Sequence, residues 1–346
     1  MDFYNLKGVF YILCPRSAAT GGPELLHQLC YHLNNDFHVK AYMWYYPFAC
    51  ESGMHEQYKK YNNPEVLNIE DNNINYVISP EVYESMKYLR YYKKINKIVW
   101  FLSVDNYYQS RMRFFNLIKN NVLYKNISFL QSYKKYINID KILMSNKKIQ
   151  NDRVLKSSKI ILSQSKYAYE FLKENGYDSL IVSDYINDDF FKFEETNSKK
   201  NIVAYNYNKG REFTKKIINQ GNNIEFVPIN NMKRVEVIKV LKKSKVYIDF
   251  GNHPGKDRIP RESALLDCCV ITNKKGSASF YEDVPICSEF KFDDIDSEIP
   301  SIIGKINECF VHYDKQIQKF SHYKNMIKKQ KNIFLGEVAN VLKTLG

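Results

Sequence analysis

The sequence lacks the short motifs that define several enzyme classes. It contains no GxSxG, no Walker loop, no HExxH and no GxGxxG. Because serine hydrolases, P-loop NTPases, zinc proteases and dinucleotide-dependent dehydrogenases carry their reactive groups on those motifs, each class is disfavoured. Two pairs of adjacent acids, Asp188-Asp189 and Asp293-Asp294, fall in a polar linker and in an acidic surface run. Neither setting is typical of a metal site, so we expect no bound metal and no cofactor.

The sequence also lacks CxxC motifs and long apolar runs. The seven cysteines are odd in number and form no CxxC pair and no His/Cys cluster at zinc spacing. This pattern favours reduced thiols in a cytoplasmic protein. No run approaches the about 20 apolar residues of a membrane-spanning helix, and Pro15 and Arg16 interrupt the apolar start. We therefore expect a cytoplasmic protein, either soluble or held peripherally at the inner face of the plasma membrane.

The amino-acid composition is typical of a globular protein and has an excess of positive charge. Hydrophobic residues make up 44% and charged residues 26% of 346 residues, which is enough for two domains with a cleft. The formal net charge of +13 favours anionic partners: phosphorylated small molecules, an anionic lipid surface or nucleic acid. The charge is spread along the chain and no RRM, zinc-finger or helix-turn-helix signature is present, so nucleic acid is not expected.

The first half of the chain repeats strand and helix patterns. Residues 8–13 form an apolar strand pattern, a loop containing Gly21 and Gly22 follows, and Pro23 opens a helical pattern. A strand, a glycine loop and a helix N-terminus are typical of a place where an anion contacts backbone N–H groups. A helix is predicted over 81–94, and the nearly continuous apolar run KIVWFLSV at 97–104 predicts a buried parallel strand.

In the second half the alternation of strand and helix patterns begins again after a polar stretch at 187–200, which we interpret as a linker. A strand pattern at 202–205 leads into the turn formed by Lys209, Gly210 and Arg211. Two β-rich runs, at 246–250 and 268–271, then flank a Glu-headed helical segment.

These two runs predict parallel strands joined through a helix, with functional loops at their carboxyl ends. The turn His253-Pro254-Gly255-Lys256-Asp257-Arg258 follows the first run, so its charges are expected to face a crevice. The pattern as a whole predicts an α/β protein with two doubly wound domains. The predicted division is 1–186, a linker at 187–200, 201–310, and helices at 311–346 that cross back to the first domain.

A further segment, 107–136, alternates aromatic and basic residues. Two interpretations fit it. It is either an amphipathic segment resting on an anionic membrane, or a helix packed on the sheet with a solvated lysine face. The pattern leaves both open.

The stretch from Glu262 to Val284 resembles the carboxyl-terminal domain of GT-B glycosyltransferases, in particular their large retaining nucleotide-sugar-dependent family. The features that carry the resemblance are a Glu heading a helix with small residues along it, a turn, a β-rich strand, a Gly-rich loop and a further acid. Here they correspond to Glu262, Ala264, Asp267, the loop Gly276-Ser277-Ala278 and Glu282. The Gly21-Gly22 loop and residues 163–187 resemble the same family in family order. The resemblance implies two facing Rossmann-like domains with a C-terminal helical segment.

The resemblance also implies roles for individual residues. Glu262 would accept hydrogen bonds from the donor ribose, and Lys209 and Arg211 match the basic pair that balances the donor pyrophosphate. The loop Gly276-Ser277-Ala278 would contact the pyrophosphate or the sugar, and Gly21 and Gly22 would face the donor from the other domain. An ordinary surface ion pair or helix cap explains Glu262, Lys209 and Arg211 equally simply.

Two departures from the family pattern affect the site. The family's upstream Glu is replaced by Gly255, and His253, Lys256 and Arg258 are the alternative donors in that turn. A cationic turn would favour a phosphate or a carboxylated sugar. The family's catalytic His after a central strand is also missing, and Asp105 stands where a cleft-facing acid could sit. Asp105 and His253 are thus the catalytic candidates, although helix capping and structural hydrogen bonding are the simpler roles.

The sequence predicts a glycosyltransferase that moves a sugar from a nucleotide donor to a glycan or lipid-linked acceptor. Capsule, O-antigen or another bacterial surface polysaccharide is the expected product, and retention of configuration is implied by the resemblance alone. Basic side chains and helix ends would take the place of a metal at the leaving diphosphate. Two alternatives remain: a nucleotide-sugar epimerase on the same fold, or a non-enzymatic basic module that binds anionic lipid or nucleic acid.

Overall fold

The computed structural model describes residues 6–49, 52–112, 149–192 and 199–346. The chain divides into two compact units, each assembled from separate stretches. Unit 1 comprises Met1–Gln164, Ala168–Val182 and Leu335–Gly346, and unit 2 comprises Ser165–Tyr167 and Ser183–Phe334. Of the segment 107–136, residues 113–136 lie outside the described residues. No described helix is long and apolar enough to cross a membrane.

A seven-stranded, fully parallel sheet forms the centre of unit 1. Its strands are β1 (Phe10–Pro15), β2 (Ala41–Tyr46), β3 (Glu65–Val66), β4 (Tyr76–Pro80), β5 (Asn96–Phe101), β6 (Ile160–Ser163) and β7 (Leu180–Ile181). They lie in the order β3-β2-β1-β4-β5-β6-β7. Every residue of β4 is buried, and consecutive side chains point to opposite faces, so both faces of the sheet are covered there.

A five-stranded, fully parallel sheet forms the centre of unit 2. Its strands are β8 (Lys200–Asn206), β9 (Glu225–Ile229), β10 (Ser244–Asp249), β11 (Cys269–Asn273) and β12 (Lys291–Phe292). The order β12-β11-β10-β8-β9 means that the chain winds outward from β8 in both directions. This is the doubly wound topology that the βα rhythm predicts.

The α-helices connect the strands and close the chain. In chain order they are α1 (Gly21–Asn35), α2 (Tyr83–Leu89), α3 (Arg153–Lys156), α4 (Lys166–Glu174), α5 (Arg211–Gln220), α6 (Arg234–Lys243), α7 (Arg258–Leu265), α8 (Ile299–Val311), α9 (Tyr313–Gln318) and α10 (Ser321–Leu345). Residues 104–112 are also helical. The mainly helical character predicted for the end of the chain is confirmed.

Two predicted boundaries are wrong for identifiable reasons. The first helix begins at Gly21, before Pro23, because its first N–H groups need no intrahelical acceptor and proline is tolerated in the first turn. The helix predicted over 81–94 ends at Leu89. Beyond it the carboxylate of Asp71 accepts the backbone N–H groups of residues 93–95, so these are no longer available to a helix.

Candidate functional site

The reversal of strand order in unit 2 defines a crevice at the carboxyl ends of β8 and β10. Neighbouring strands continue from there in opposite directions, so the connections leave on opposite faces of the sheet. The loops that follow these two strands are 207–210 and 250–257. They carry Lys209, His253 and Lys256, and Arg211 and Arg258 begin the helices that follow them. Ligands of doubly wound sheets bind at this position.

Glycines allow the loops at this edge to touch. Gly210, the N-cap of α5, has φ +60°, and a Cβ atom there would lie 2.2 Å from the carbonyl oxygen of Phe250. Gly276 has φ +53°, and its Cβ would lie 2.0 Å from the carbonyl oxygen of His253. Both positions therefore need glycine for conformation and for space. The loops after β8, β10 and β11 form one continuous wall.

A chain of charged side chains crosses this wall. Lys209 Nζ donates to Asp257 Oδ1 at 2.7 Å, and Asp257 Oδ2 lies 3.0 Å from His253 Nδ1. The other ring nitrogen of His253 lies 3.4 Å from the backbone oxygen of Asp249. The Asp249 carboxylate accepts from Tyr247 Oη at 2.9 Å and from the N–H of Gly251 at 3.0 Å.

Burial and neighbouring charges have opposing effects on the pKa values of His253 and Asp257. Burial alone would lower the pKa of His253, but the hydrogen bond with Asp257 and the charges of Asp249 and Asp257 outweigh it and raise this pKa. Burial would raise the pKa of Asp257, but the hydrogen bond with His253 and the charge of Lys209 hold it below its usual range. Both pKa shifts favour the ion pair of imidazolium and carboxylate over the neutral pair.

Asp249, His253 and Asp257 also have the donor types of a metal site, with ligand atoms within 4.8 Å of one another. These atoms are engaged in the hydrogen bonds given above, and the Lys209 ammonium already supplies a positive charge to Asp257. The arrangement is satisfied as a hydrogen-bonded charge cluster, so we do not assign a metal to it.

A second charge cluster involves Arg258, the last residue of the predicted cationic turn. Arg258 Nε lies 3.3 Å from Asp184 Oδ2, and the fully buried Arg261 donates to the same carboxylate at 2.8 Å. Burial would raise the pKa of Asp184, but the two guanidinium groups hold it below its usual range. The charges of this turn were expected to face a crevice. Asp257 lies in the turn itself and pairs with Lys209, and Asp184, which follows β7, pairs with Arg258.

The other predicted donor-side residues lie on the same edge of unit 2. Glu262 is half-buried in the second turn of α7, and Lys256 is half-buried before that helix. Arg211 is the first residue of α5, exposed, with its guanidinium carbon 4.7 Å from the ring centroid of Tyr207. Their roles toward a donor stay predictions.

The loop Gly276-Ser277-Ala278 is a 3-10 turn held by the wall itself. The N–H of Ser277 donates to the carbonyl of His253 at 2.7 Å, and its hydroxyl donates to the carbonyl of Gly255 at 2.6 Å. Ser277 and Ala278 are completely buried. The Ser277 N–H of this loop, which was expected to contact the pyrophosphate or the sugar, is thus occupied by a protein carbonyl.

In unit 1 the predicted residues lie at the corresponding edge: Gly21 and Gly22 follow β1, where the order reverses between β1 and β4, and Asp105 follows β5. Gly21 and Gly22 form the start of α1, and its N-cap residue Thr20 makes no side-chain capping bond. Asp105 lies in the first turn of the helix at 104–112, where Ser103 Oγ accepts the N–H of Asn106 at 3.2 Å. The capping role considered for Asp105 therefore belongs to Ser103.

Solved structures share the fold over almost the whole chain. A glycosyltransferase from Rickettsia africae ESF-5 is 13% identical with a TM-score of 0.63, and the match covers 98% of each chain. HepE of Anabaena, solved in complex with UDP-glucose, is 9% identical with a TM-score of 0.61, covering 97% of this chain and 99% of that one. The lipopolysaccharide outer core galactosyltransferase WaaB is 9% identical with a TM-score of 0.59, with 97% and 99% covered.

The chain has the GT-B fold. This confirms the predicted fold class. No family model matches the sequence, and the curated proteins searched contain no match. At identities near 10% the likeness concerns the fold, so the roles of side chains rest on the geometry of this chain.

Sequence reasoning missed several acids of the GT-B scaffold. Asp257 and Asp184 are the partners of predicted basic residues, but they lie 48 and 74 positions from Lys209 and Arg258. Glu81, after β4, is fully buried and accepts the N–H of Leu102 at 2.9 Å, and burial raises its pKa to about 7. For two of them a local signal was available, because Asp257 directly precedes α7 and Glu81 directly follows β4, where loops of doubly wound sheets carry function.

Proposed function

We propose that the protein is a glycosyltransferase that takes a sugar from a nucleotide-sugar donor bound at the β8/β10 edge of unit 2. The observation that carries the proposal is the start of α5. Its N-cap Gly210 has no side chain to satisfy the first N–H groups, and Lys209 and Arg211 flank it at the strand-order reversal. A helix N-terminus of this kind attracts an anion through its free backbone N–H groups and through the helix dipole. HepE, which shares the fold, was solved with UDP-glucose.

In this proposal unit 2 holds the leaving group. The donor diphosphate lies at the N-terminus of α5 with Lys209, Arg211 and the half-buried Lys256 as counter-charges, while Glu262 accepts hydrogen bonds from the ribose. Sugar transfer breaks the bond between the anomeric carbon and a diphosphate oxygen. Fixed positive charge at that oxygen stabilises the departing nucleoside diphosphate more than the intact donor, which accelerates the step.

The acceptor in this proposal is a glycan or a lipid-linked glycan of a bacterial surface polysaccharide. WaaB, named as an outer core galactosyltransferase of lipopolysaccharide, supports that class as one use of the fold. Asp105 of unit 1 is the candidate for positioning the acceptor hydroxyl. We further propose retention of configuration and a cytoplasmic location with peripheral contact to the membrane.

A thermal-shift screen against nucleotides and nucleotide sugars tests this function. We expect a nucleoside diphosphate and its sugar conjugates to raise the melting temperature, because they bind the folded state alone. Incubation with the stabilising nucleotide sugar and no acceptor then separates the enzyme classes. Slow donor hydrolysis agrees with a transferase, whereas rapid epimer formation favours the epimerase. Binding of anionic vesicles that salt abolishes, without any nucleotide effect, would favour the non-enzymatic module.

Glu262→Ala tests the ribose contact. We expect about a 10- to 100-fold weaker affinity for the stabilising nucleotide in isothermal titration calorimetry, because charge-assisted hydrogen bonds to two ribose hydroxyls are lost. Glu225→Ala is the matched control, since Glu225 is the first residue of β9 and lies at the opposite, amino edge of the same sheet. Equal affinity of the Glu262 variant and the wild type would remove Glu262 from the site.

A further inference from the structure

Both ring nitrogens of His253 face hydrogen-bond acceptors. Nδ1 faces the carboxylate of Asp257 at 3.0 Å, and Nε2 faces the backbone carbonyl of Asp249 at 3.4 Å. A neutral imidazole has one N–H group and can satisfy one of these acceptors, whereas imidazolium satisfies both. The side chain is completely buried, so water does not replace the missing donor. The geometry therefore selects the protonated ring.

Asp257 consequently lies between two cations. One carboxylate oxygen contacts the imidazolium and the other contacts the Lys209 ammonium at 2.7 Å. The three side chains differ in exposure, with 0% for His253, 20% for Asp257 and 35% for Lys209. The chain of charges thus starts in the interior and ends with an ammonium group at the surface of the crevice.

The charged and titratable groups near the His253 ring come from three parts of unit 2. Lys209 approaches from the loop after β8, Asp249 and Tyr247 from β10, and Asp257 from the turn before α7. The Asp249 carboxylate accepts hydrogen bonds from the Tyr247 hydroxyl and the Gly251 N–H. Asp257 contacts both the ring and the ammonium.

We propose that His253 and Asp257 are positioning residues for Lys209: the imidazolium compensates the Asp257 charge, so that the ammonium is held in place and keeps its positive charge for a diphosphate. The inference rests on the proposed function and deepens it. His253 acts through its neighbours, since its ring is buried and both nitrogens are engaged. Loss of the ring proton would leave Asp257 to neutralise Lys209 instead.

Isothermal titration with UDP, using uridine as the diphosphate-free control, tests this role. For His253→Gln we expect about tenfold weaker UDP binding and unchanged uridine binding, because one charge-assisted phosphate contact is lost. In the double variant His253→Gln/Asp257→Asn the uncompensated carboxylate is gone, and UDP affinity is expected to return to within about threefold of the wild type. A purely structural role predicts additive losses that affect uridine as well.

The pH profile of the wild type gives a second measurement that needs no variant at position 253. Because the pKa of His253 is raised, the imidazolium is present at low pH and lost as pH rises through that pKa. UDP affinity is therefore expected to fall by up to about tenfold as the pH rises through that pKa, which lies above 6.5. The phosphate, with a second pKa of about 6, is already mostly ionised there. In Asp257→Asn the profile is expected to be flat.

The exposed pair of Lys216 and Asp296 is the matched control. Its Nζ–Oδ1 distance is also 2.7 Å, but the side chains are 51% and 69% exposed. Asp296→Asn should leave UDP affinity and its pH profile unchanged. UDP binding that is insensitive to His253→Gln, or a double variant weaker than the single one, overturns the positioning role and leaves the proposed function intact. If the wild type binds no nucleoside diphosphate in the thermal-shift screen, both are overturned.

Discussion

Replacing Asp184 by alanine is expected to lower the free energy of unfolding by about 3–5 kcal/mol. The carboxylate is 2% exposed and pairs with Arg258 and with the fully buried guanidinium of Arg261. Removing it leaves a buried positive charge without its counter-charge, which costs far more than the loss of a surface pair. Urea unfolding followed by far-UV circular dichroism measures the effect.

Two further variants show whether the cost comes from the unpaired charge. Asp296→Ala removes an exposed acid paired with Lys216 and should change stability by about 0.5 kcal/mol or less. The double variant Asp184→Leu/Arg261→Met replaces the buried pair by apolar side chains and should recover a large part of the loss. A loss for Asp184→Ala no larger than that for Asp296→Ala would contradict this interpretation.

Gly210→Ala is expected to destabilise unit 2 by about 3 kcal/mol and to weaken nucleotide binding. The residue has φ +60°, which costs a side-chain-bearing residue about 1–2 kcal/mol. The added methyl would lie 2.2 Å from the Phe250 carbonyl oxygen, so the loops after β8 and β10 must separate. Separation displaces Lys209 and the N-terminus of α5 together.

Gly304→Ala is the control for that substitution. Gly304 lies inside α8, and nothing lies within 4 Å of the added atom, so alanine should stabilise the helix by about 0.5–1 kcal/mol. Thermal melts and nucleotide titrations of both variants measure the contrast. A Gly210 variant as stable as the wild type would show that the loops do not need this close approach.

Hydrophobic pattern was sufficient to predict the α/β class and most strands. The run that forms β5 is nearly continuous in apolar residues, and its last four positions are buried, as a parallel strand requires. Site positions that follow from strand ends, such as Lys209 and the turn at 253–258, were predicted for the same reason. The pattern could not predict the ion pairs, because Asp184 and Asp257 are distant in sequence from Arg258 and Lys209, with which they pair.

Local pattern also gives the wrong character to residues whose partners are distant. Arg258 and Arg261 look like surface cations in a short polar helix, yet the buried Asp184 carboxylate holds them within unit 2. From the sequence His253 is a candidate catalytic residue in a loop, yet both of its ring nitrogens face acceptors of the protein itself. Periodicity reports which face of an element is buried and carries no information on these long-range contacts.

The discontinuity of unit 1 has a consequence for synthesis. Residues 335–346 belong to unit 1 although they follow all of unit 2 along the chain. They are built into its core, because Leu342 and Leu345 are buried and the Tyr76 hydroxyl donates to the Leu345 carbonyl at 3.4 Å. Unit 1 therefore lacks part of its core until the residues that follow unit 2 along the chain have been synthesised.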